Sequence, residues 1–595
     1  LIQKQVISSS AKAIVLTSAL LGGLLLYFYY RAPSIRLFAT YLSPAVVIVP
    51  LLFLTNTQVV KILRSETSLV QGRPLASKTP VVMLVLDELP LGSLLDETMQ
   101  IDGRWFPNFA RLQQQSTWYR NASAVSDVTD CAVPAIITGL YPRERKLPTT
   151  FDYPQNLFSL LAASYQMRVI ETDTRFHPEA TFASFSEDEN FQERVGSLLM
   201  DVSAVYLQII LPTDYARSLP TLGRSWRDFW QTESNKTPEE RLTRGKQFHQ
   251  FLRGIQYTDE PVLYFLHVEL PHGPWSYFPS GTEYNYGKWK SPLAKEETLQ
   301  GWGNDKSVSD RAFQRYMLQL IYTDRLLGQL VDRLQEQRIW DPSVFIVTAD
   351  HGISFDPGDS HRPVTKSNYV DVLSVPLFIK FPGQREGRID DRKAETIDIV
   401  PTLAAVLQSD TQWKWDGESL LRPPKRSSRR AVRWSFASSE FLSLPSFSYR
   451  DSKILKLKQE LFGQYTGEEA IYRFGPHPEV HGLSTAEIPH LQQEPLSAEI
   501  YNRQWFDNVD LSRKFMPALV TGKIHKPADL TGSMNLAVAI NGTVRGSVRT
   551  FRLDDRMEGF ALLVPESSFR QGNNDVEVFL VSKGNLLEIK TGWVQ

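Results

Sequence analysis

Residues 81–88 read Val81-Val82-Met83-Leu84-Val85-Leu86-Asp87-Glu88, six apolar residues in a row ending on two acids. Apolar side chains at every position, rather than at alternate ones, mark a strand covered on both faces. Residues 262–266 (VLYFL), 344–347 (VFIV) and 375–381 (VPLFIKF) have the same character. Between them, 311–335 carries apolar residues at helical spacing, so strands alternate with helices and the pattern predicts an α/β domain with a mainly parallel sheet flanked by helices. Polar residues then follow the strands at one end. Asp87 closes the first, His267 follows VLYFL, and Asp350 with His351 follows VFIVTA. Ligands of open α/β sheets collect at the carboxyl ends of strands, so three separate segments can deliver acids and imidazoles to one rim.

The flanks are different. Residues 13–30 (AIVLTSALLGGLLLYFYY) and 37–54 are apolar runs of membrane-spanning length, separated by RAPSIR, which predicts two transmembrane helices in a hairpin. Arg31 and Arg36 would hold the short loop in the cytoplasm, which would leave everything after about residue 60 on the extracytoplasmic side. Residues 1–65 are therefore expected to be a membrane anchor, 66–79 a polar linker, and 80–515 the catalytic domain. After residue 515 short β-like runs alternate with turn residues, and Asn541-Gly542 between apolar segments signals a hairpin, so 516–595 is expected to be a small β-rich module.

Lys+Arg 65 against Asp+Glu 66 leaves a net charge of -1, which gives no global basic field for nucleic acid. The single cysteine, Cys131, excludes an intrachain disulfide framework and a Cys-rich zinc module, so a metal must use oxygen and nitrogen ligands. Asp350-His351-Gly352 offers a carboxylate and an imidazole at one point, suited to a hard or borderline divalent metal. Alone, such a pair is commonly a solvated turn, and Asp87 at a strand end is commonly a turn former. Thr129 precedes the apolar stretch Cys131-Ala132-Val133-Pro134-Ala135-Ile136-Ile137. Its hydroxyl can serve as a helix N-cap or, exposed at a helix N-terminus beside a metal, as a nucleophile.

In order, VLDE, TDCAVPAIITGLYP, LHVELPHGPW, TADHG, VPLFIKFPG and TIDIVPTL resemble the sulfatase-like branch of the alkaline-phosphatase superfamily over residues 80–410. The resemblance implies an alkaline-phosphatase-like fold and a metal-coordinating nucleophile ten positions before Gly139, which is Thr129. Formylglycine sulfatases carry Cys or Ser there in a C/S-x-P-x-R context, whereas this chain has Thr129 and, at the Arg position, Val133. A threonine nucleophile is similar to that of the phosphoethanolamine transferases and lipoteichoic-acid synthases, which are also anchored by membrane helices. By that likeness Asp87, Thr129, Asp350 and His351, with His361, would hold a divalent metal (Zn, Mn or Ca), Glu88 standing where calcium-dependent sulfatases have a second Asp. His267 and His272 would be ligands of the substrate phosphate or of a second metal, while a backbone-paired strand-end histidine is an equal reading of His267. Lys366 is expected to be a solvated surface lysine. The expected function is phosphoryl transfer in the cell envelope from a membrane lipid or onto an envelope glycan. The alternatives are hydrolysis of a sulfate or phosphate ester with water as acceptor, and a non-catalytic scaffold.

Overall fold

The computed structural model describes residues 11–54, 72–144, 146–171, 173–174, 176, 191–216, 219, 243–284, 297–298, 301–423, 431–434, 441–444, 448–463, 468–487, 496–525, 532–552, 557–582 and 585–593. The first part of the expected linker, to residue 71, lies outside them. Two units are distinguished by their internal contacts. One comprises Leu1–Ser68, Thr149–Phe151 and Pro178–Leu242, the other Leu69–Pro148, Asp152–His177 and Thr243–Gln595.

In the larger unit a seven-stranded sheet is built from β1 (Val81–Asp87), β2 (Thr117–Ser123), β3 (Gln166–Ile170), β4 (Val262–Pro271), β5 (Val344–Ala349), β6 (Leu377–Lys380) and β7 (Arg388–Glu395), in the order β3-β4-β1-β5-β6-β2-β7. The pairs β3–β4, β4–β1, β1–β5 and β2–β7 are parallel, whereas β6 runs antiparallel to both β5 and β2. The sheet is therefore mixed. β6 turns back beside β5 after a connection, residues 350–376, that includes the helix Tyr369–Leu373.

The unbroken apolar runs follow from two cores. Val82, Leu84 and Leu86 of β1 enter one cluster and Val81, Met83 and Val85 the other, and β4 and β5 divide in the same way. The first face is covered by the helices Pro107–Gln113, Arg244–Gly254 and Lys306–Glu336, through Phe109, Phe248 and Phe313 among others. The second is covered by Thr129–Thr138, Leu157–Leu161 and Ile399–Val406, through Ile136, Leu160 and Leu403. The helix Lys306–Glu336 begins where Asp305 accepts a hydrogen bond from the Ser307 amide at 2.9 Å.

The C-terminal β-rich part contains a five-stranded and a four-stranded sheet. The hairpin at Asn541-Gly542 joins Asn535–Ile540 to Thr543–Arg549, both turn residues having positive φ (51° and 76°), as a type I′ turn requires. The five-stranded sheet also takes in Ser497–Ile500, which lies before the expected start at 516.

In the smaller unit the helix Ala11–Arg31 contains, at Ile14–Arg31, one stretch long and apolar enough to cross a membrane. The second expected span is not a single helix among the described residues. Pro33–Leu42 and Ala45–Leu54 are separate ten-residue helices, each reaching about 15 Å against a hydrocarbon core of about 30 Å. Two prolines explain the difference. Pro33 occupies the first turn of a helix, so within RAPSIR only Ala32 lies between helices, and Pro44 interrupts the apolar run that follows.

Candidate active site

Four strand ends and one helix start meet at the sheet's carboxyl rim. The register between β1 and β4 shifts after Leu86, where Asp87 pairs with Pro271, and this irregularity ends the strand on the Asp87 carboxylate. Glu88 then takes a left-handed backbone conformation with φ 58°, and its amide faces Asp350 Oδ1 at 3.3 Å. On β5's side the Asp350 amide donates to the Leu86 carbonyl at 2.9 Å, and Asp350 Oδ1 accepts from the His351 amide at 2.6 Å. Gly352 is required by space, because a Cβ there would lie 2.1 Å from the Asp371 carbonyl oxygen.

The orientation of His351 is set by its other nitrogen. Nδ1 lies 2.9 Å from the Gly352 carbonyl, a bond it can make only as donor, which leaves Nε2 unprotonated in the neutral ring. That nitrogen is 3.4 Å from Asp350 Oδ2 and 3.4 Å from Thr129 Oγ1. Thr129 is the first residue of its helix, with Val128 at the N-cap, and no side chain caps this end. Its hydroxyl is therefore turned toward His351 and away from the N-cap role. The helix closes at Gly139 in the left-handed conformation (φ 71°), whose amide bonds the Ala135 carbonyl at 2.9 Å.

Asp87, Asp350 and His351 are all buried, and each offers a donor atom within 4.8 Å of the others. Asp87 Oδ1 and Asp350 Oδ2 have no hydrogen-bond partner among the described residues. Burial, then the neighbouring Asp350 and Glu88, push the Asp87 carboxyl well above its ordinary range. Two dry carboxylates side by side disfavour each other's ionised form, and a cation between them reverses that preference. An O, O, N donor set with unpartnered buried oxygens fits a divalent metal, with the Thr129 hydroxyl beside it.

The remaining expected residues fall on two flanks. His267, fully buried on β4, is bonded through Nδ1 to Glu171 at 2.9 Å, with Asp173 at 3.9 Å. Burial opposes its charge, but the two carboxylates win and raise its pKa well above the ordinary histidine value. Asp87, Asp173 and His267 form a second compact donor group. His272 is on the other flank, in a loop held by Gln319, which donates to the Pro271 and His272 carbonyls at 3.0 and 2.8 Å, and by Arg244, which reaches the Gly273 carbonyl at 2.7 Å and Glu269. Burial holds His272 down to about 4, Glu88 pulling it up and Arg362 pushing it down. His361 belongs to neither donor group, and its ring lies against Trp302. Lys366 is exposed.

Sequence reading missed Arg362, Glu171 and Asp173. The Arg362 guanidinium bridges Glu88 and His272, and its charge lowers the Glu88 carboxyl despite burial. The signal for it was weak, an arginine beside His361. Glu171 and Asp173 follow β3, whose sequence QMRVI alternates and is only half-buried, so the strand-end rule had no strand to start from.

The family model described as Sulfatase matches residues 81–409. The multifunctional alkaline phosphatase superfamily protein PehA of Trinickia caryophylli is 35% identical over 100 residues, 16% of this chain and 19% of that protein. An endo-4-O-sulfatase of Bacteroides thetaiotaomicron is 22% identical over 149 residues (25% of this chain, 29% of that protein), and a lipoteichoic acid synthase of Staphylococcus saprophyticus 26% over 112 residues (18% and 17%). The matched stretches thus span less than a third of these curated relatives' lengths. Among solved structures, the phosphonate monoester hydrolase of Silicibacter pomeroyi superimposes with a TM-score of 0.40 at 17% identity, covering 65% of this chain and 83% of that one. Since the family model takes in more than half of the residues, the chain belongs to the sulfatase family.

Proposed function

We propose that this chain is a membrane-anchored, metal-dependent enzyme that acts on a phosphate or sulfate ester through Thr129, in the cell envelope and on the extracytoplasmic side. The observation that carries the reading is the Thr129 hydroxyl, 3.4 Å from Nε2 of His351, a residue whose donor atoms cluster with those of the buried Asp87 and Asp350. Asp87, Asp350, His351 and Thr129 would hold the cation. When bound, it would favour the alkoxide of Thr129 and offset charge on the ester's non-bridging oxygens.

Thr129 Oγ1 attacks the phosphorus or sulfur, a bond to Oγ1 forms, and the bond to the ester oxygen breaks as the alcohol leaves. In the second step a hydroxyl oxygen attacks the same atom, and the bond to Oγ1 breaks to restore the threonine. Arg362 supplies the fixed positive charge on this flank, since His272, held down to about 4, is neutral at physiological pH. His272 is thereby better placed as a neutral hydrogen-bonding group than as a cation. Phosphoryl transfer to an envelope acceptor is the favoured outcome, because an apolar helix of spanning length would hold the site near lipid-borne esters. With water as acceptor the same site is an ester hydrolase.

The test is turnover of chromogenic phosphate diesters, phosphate monoesters and sulfate esters by the wild-type chain and by Thr129→Ala and Thr129→Ser. Thr129→Ala should lose about 10³-fold or more in kcat, as removal of a nucleophile does. Thr129→Ser should keep measurable activity and accumulate a modified residue 129 visible by mass spectrometry. Full turnover by Thr129→Ala would sink the proposal.

A further inference from the structure

The segment Pro178–Leu242 belongs by its contacts to the unit that contains the N-terminal apolar helices, although the chain reaches it from β3 and leaves it toward β4. Its main element among the described residues is the helix Phe191–Ile210, continued by the short helix Thr213–Ala216. Asp201 and Ala204 are buried, while Leu199, Met200, Val202, Val205, Tyr206, Ile209 and Ile210 are exposed. At 3.6 residues per turn six of those side chains, all but Met200, fall on one broad face, with Asp201, Ala204 and Gln208 on the other side of the helix. Six large apolar side chains on one face make a patch that a protein in water seldom leaves uncovered.

What covers it is indicated by its neighbours. The helix Thr213–Ala216 packs against Ala11–Arg31, among the described residues the one helix with a stretch of membrane-spanning length and apolarity. No Lys or Arg occurs from Leu199 to Pro212, so the face has no charge with which to meet an acidic partner. Tyr206 and Tyr215, both exposed, are of the residue type that settles at headgroup level. We infer that the helix Phe191–Ile210 lies in the interface of a lipid bilayer with its Leu199–Ile210 half sunk among the acyl chains, giving the chain a membrane contact separate from its N-terminal anchor. This rests on the proposal that Ala11–Arg31 spans a membrane. Lacking basic residues, the contact depends on apolar area and is insensitive to headgroup charge.

The single native thiol, Cys131, is buried, so one introduced cysteine can be labelled cleanly. The full chain is reconstituted in phosphatidylcholine vesicles with an environment-sensitive fluorophore at Leu21→Cys, Val202→Cys, Tyr206→Cys, Ile209→Cys or Gln208→Cys, and quenched by doxyl-labelled lipid or by aqueous iodide. Lipid quenching with iodide protection is expected at 21, 202, 206 and 209, with lipid quenching lost at 208. Lipid quenching at 21 together with iodide access at 202, 206 and 209 would overturn the inference and leave the anchor standing. Shielding of 206 from both quenchers, with cross-linking to a second chain, would overturn it in favour of a copy of the protein as occupant. Iodide access at 21 would remove the anchor reading and this inference with it.

Discussion

Arg362 sets the electrostatics of the flank that carries Glu88 and His272, for it pairs with the first and faces the second. Removing its charge in Arg362→Gln should let the His272 pKa rise above about 4, with burial and Arg244 still holding it down against Glu88; histidine NMR titration reads this directly. The same variant should weaken substrate binding, seen as a higher KM for anionic esters, and Arg362→Lys should recover part of the loss. On the metal side, Asp350→Asn combined with His351→Ala should lose stoichiometric divalent metal by elemental analysis, whereas Lys366→Ala should retain it. The strand-end places of Asp87 and of Asp350-His351 were legible because each follows an unbroken apolar run, the mark of a covered strand, whereas their grouping as metal ligands was implied by the family resemblance. Arg362 was not legible, since nothing local distinguishes an arginine that reaches Glu88, 274 positions earlier, from one that points to water.

Elements are held to one another by polar groups that sequence patterns do not register. The helix Pro107–Gln113 has no side-chain cap of its own, and its free amides are met by Asp324 from the helix Lys306–Glu336, which accepts from Asn108 N at 3.1 Å and Phe109 N at 2.8 Å. Asp324→Ala leaves those buried donors unpaired and should cost about 1–3 kcal/mol in chemical unfolding. A cap taken from 216 residues away is invisible to rules that look four residues ahead. Lys458, in the helix Lys453–Phe462, is pushed down to about 8 by burial, with Asp102 pulling the other way. From that folded value up to the ordinary 10.5 the unfolded chain binds the extra proton, so stability contributed by this group rises with pH across the window. Urea unfolding should show the wild type gaining on Lys458→Met as pH is raised through it. Gly352→Ala, by driving a Cβ against the Asp371 carbonyl, should displace His351 and abolish activity with the far-UV spectrum unchanged.

At the scale of the molecule, the apolar runs revealed the covered strands β1, β4, β5 and β6, whereas the edge strand β7 (RIDDRKAE) and its neighbour β2 (TWYRNAS) escaped notice because both carry polar and charged residues. The sheet and the C-terminal strands share one apolar cluster, from Val82 to Ile589, and the helix Lys306–Glu336 reaches across it, with Gln314 donating to the Ile471 carbonyl at 2.9 Å. Removing residues 516–595 should therefore lower the stability of the whole larger unit and not merely delete a module, which differential scanning calorimetry would show as a shift of a single transition. The strand order has a further consequence, in time. Val81 pairs with Leu263 on one side and Val344 on the other, so β1 waits for partners far along the chain before any of its hydrogen bonds form. Loop closure over such distances is slow. Thr129 and Asp87 are consequently synthesised long before the strand that delivers Asp350 and His351, and on refolding secondary structure will return ahead of activity, the catalytic pocket being among the last parts to assemble.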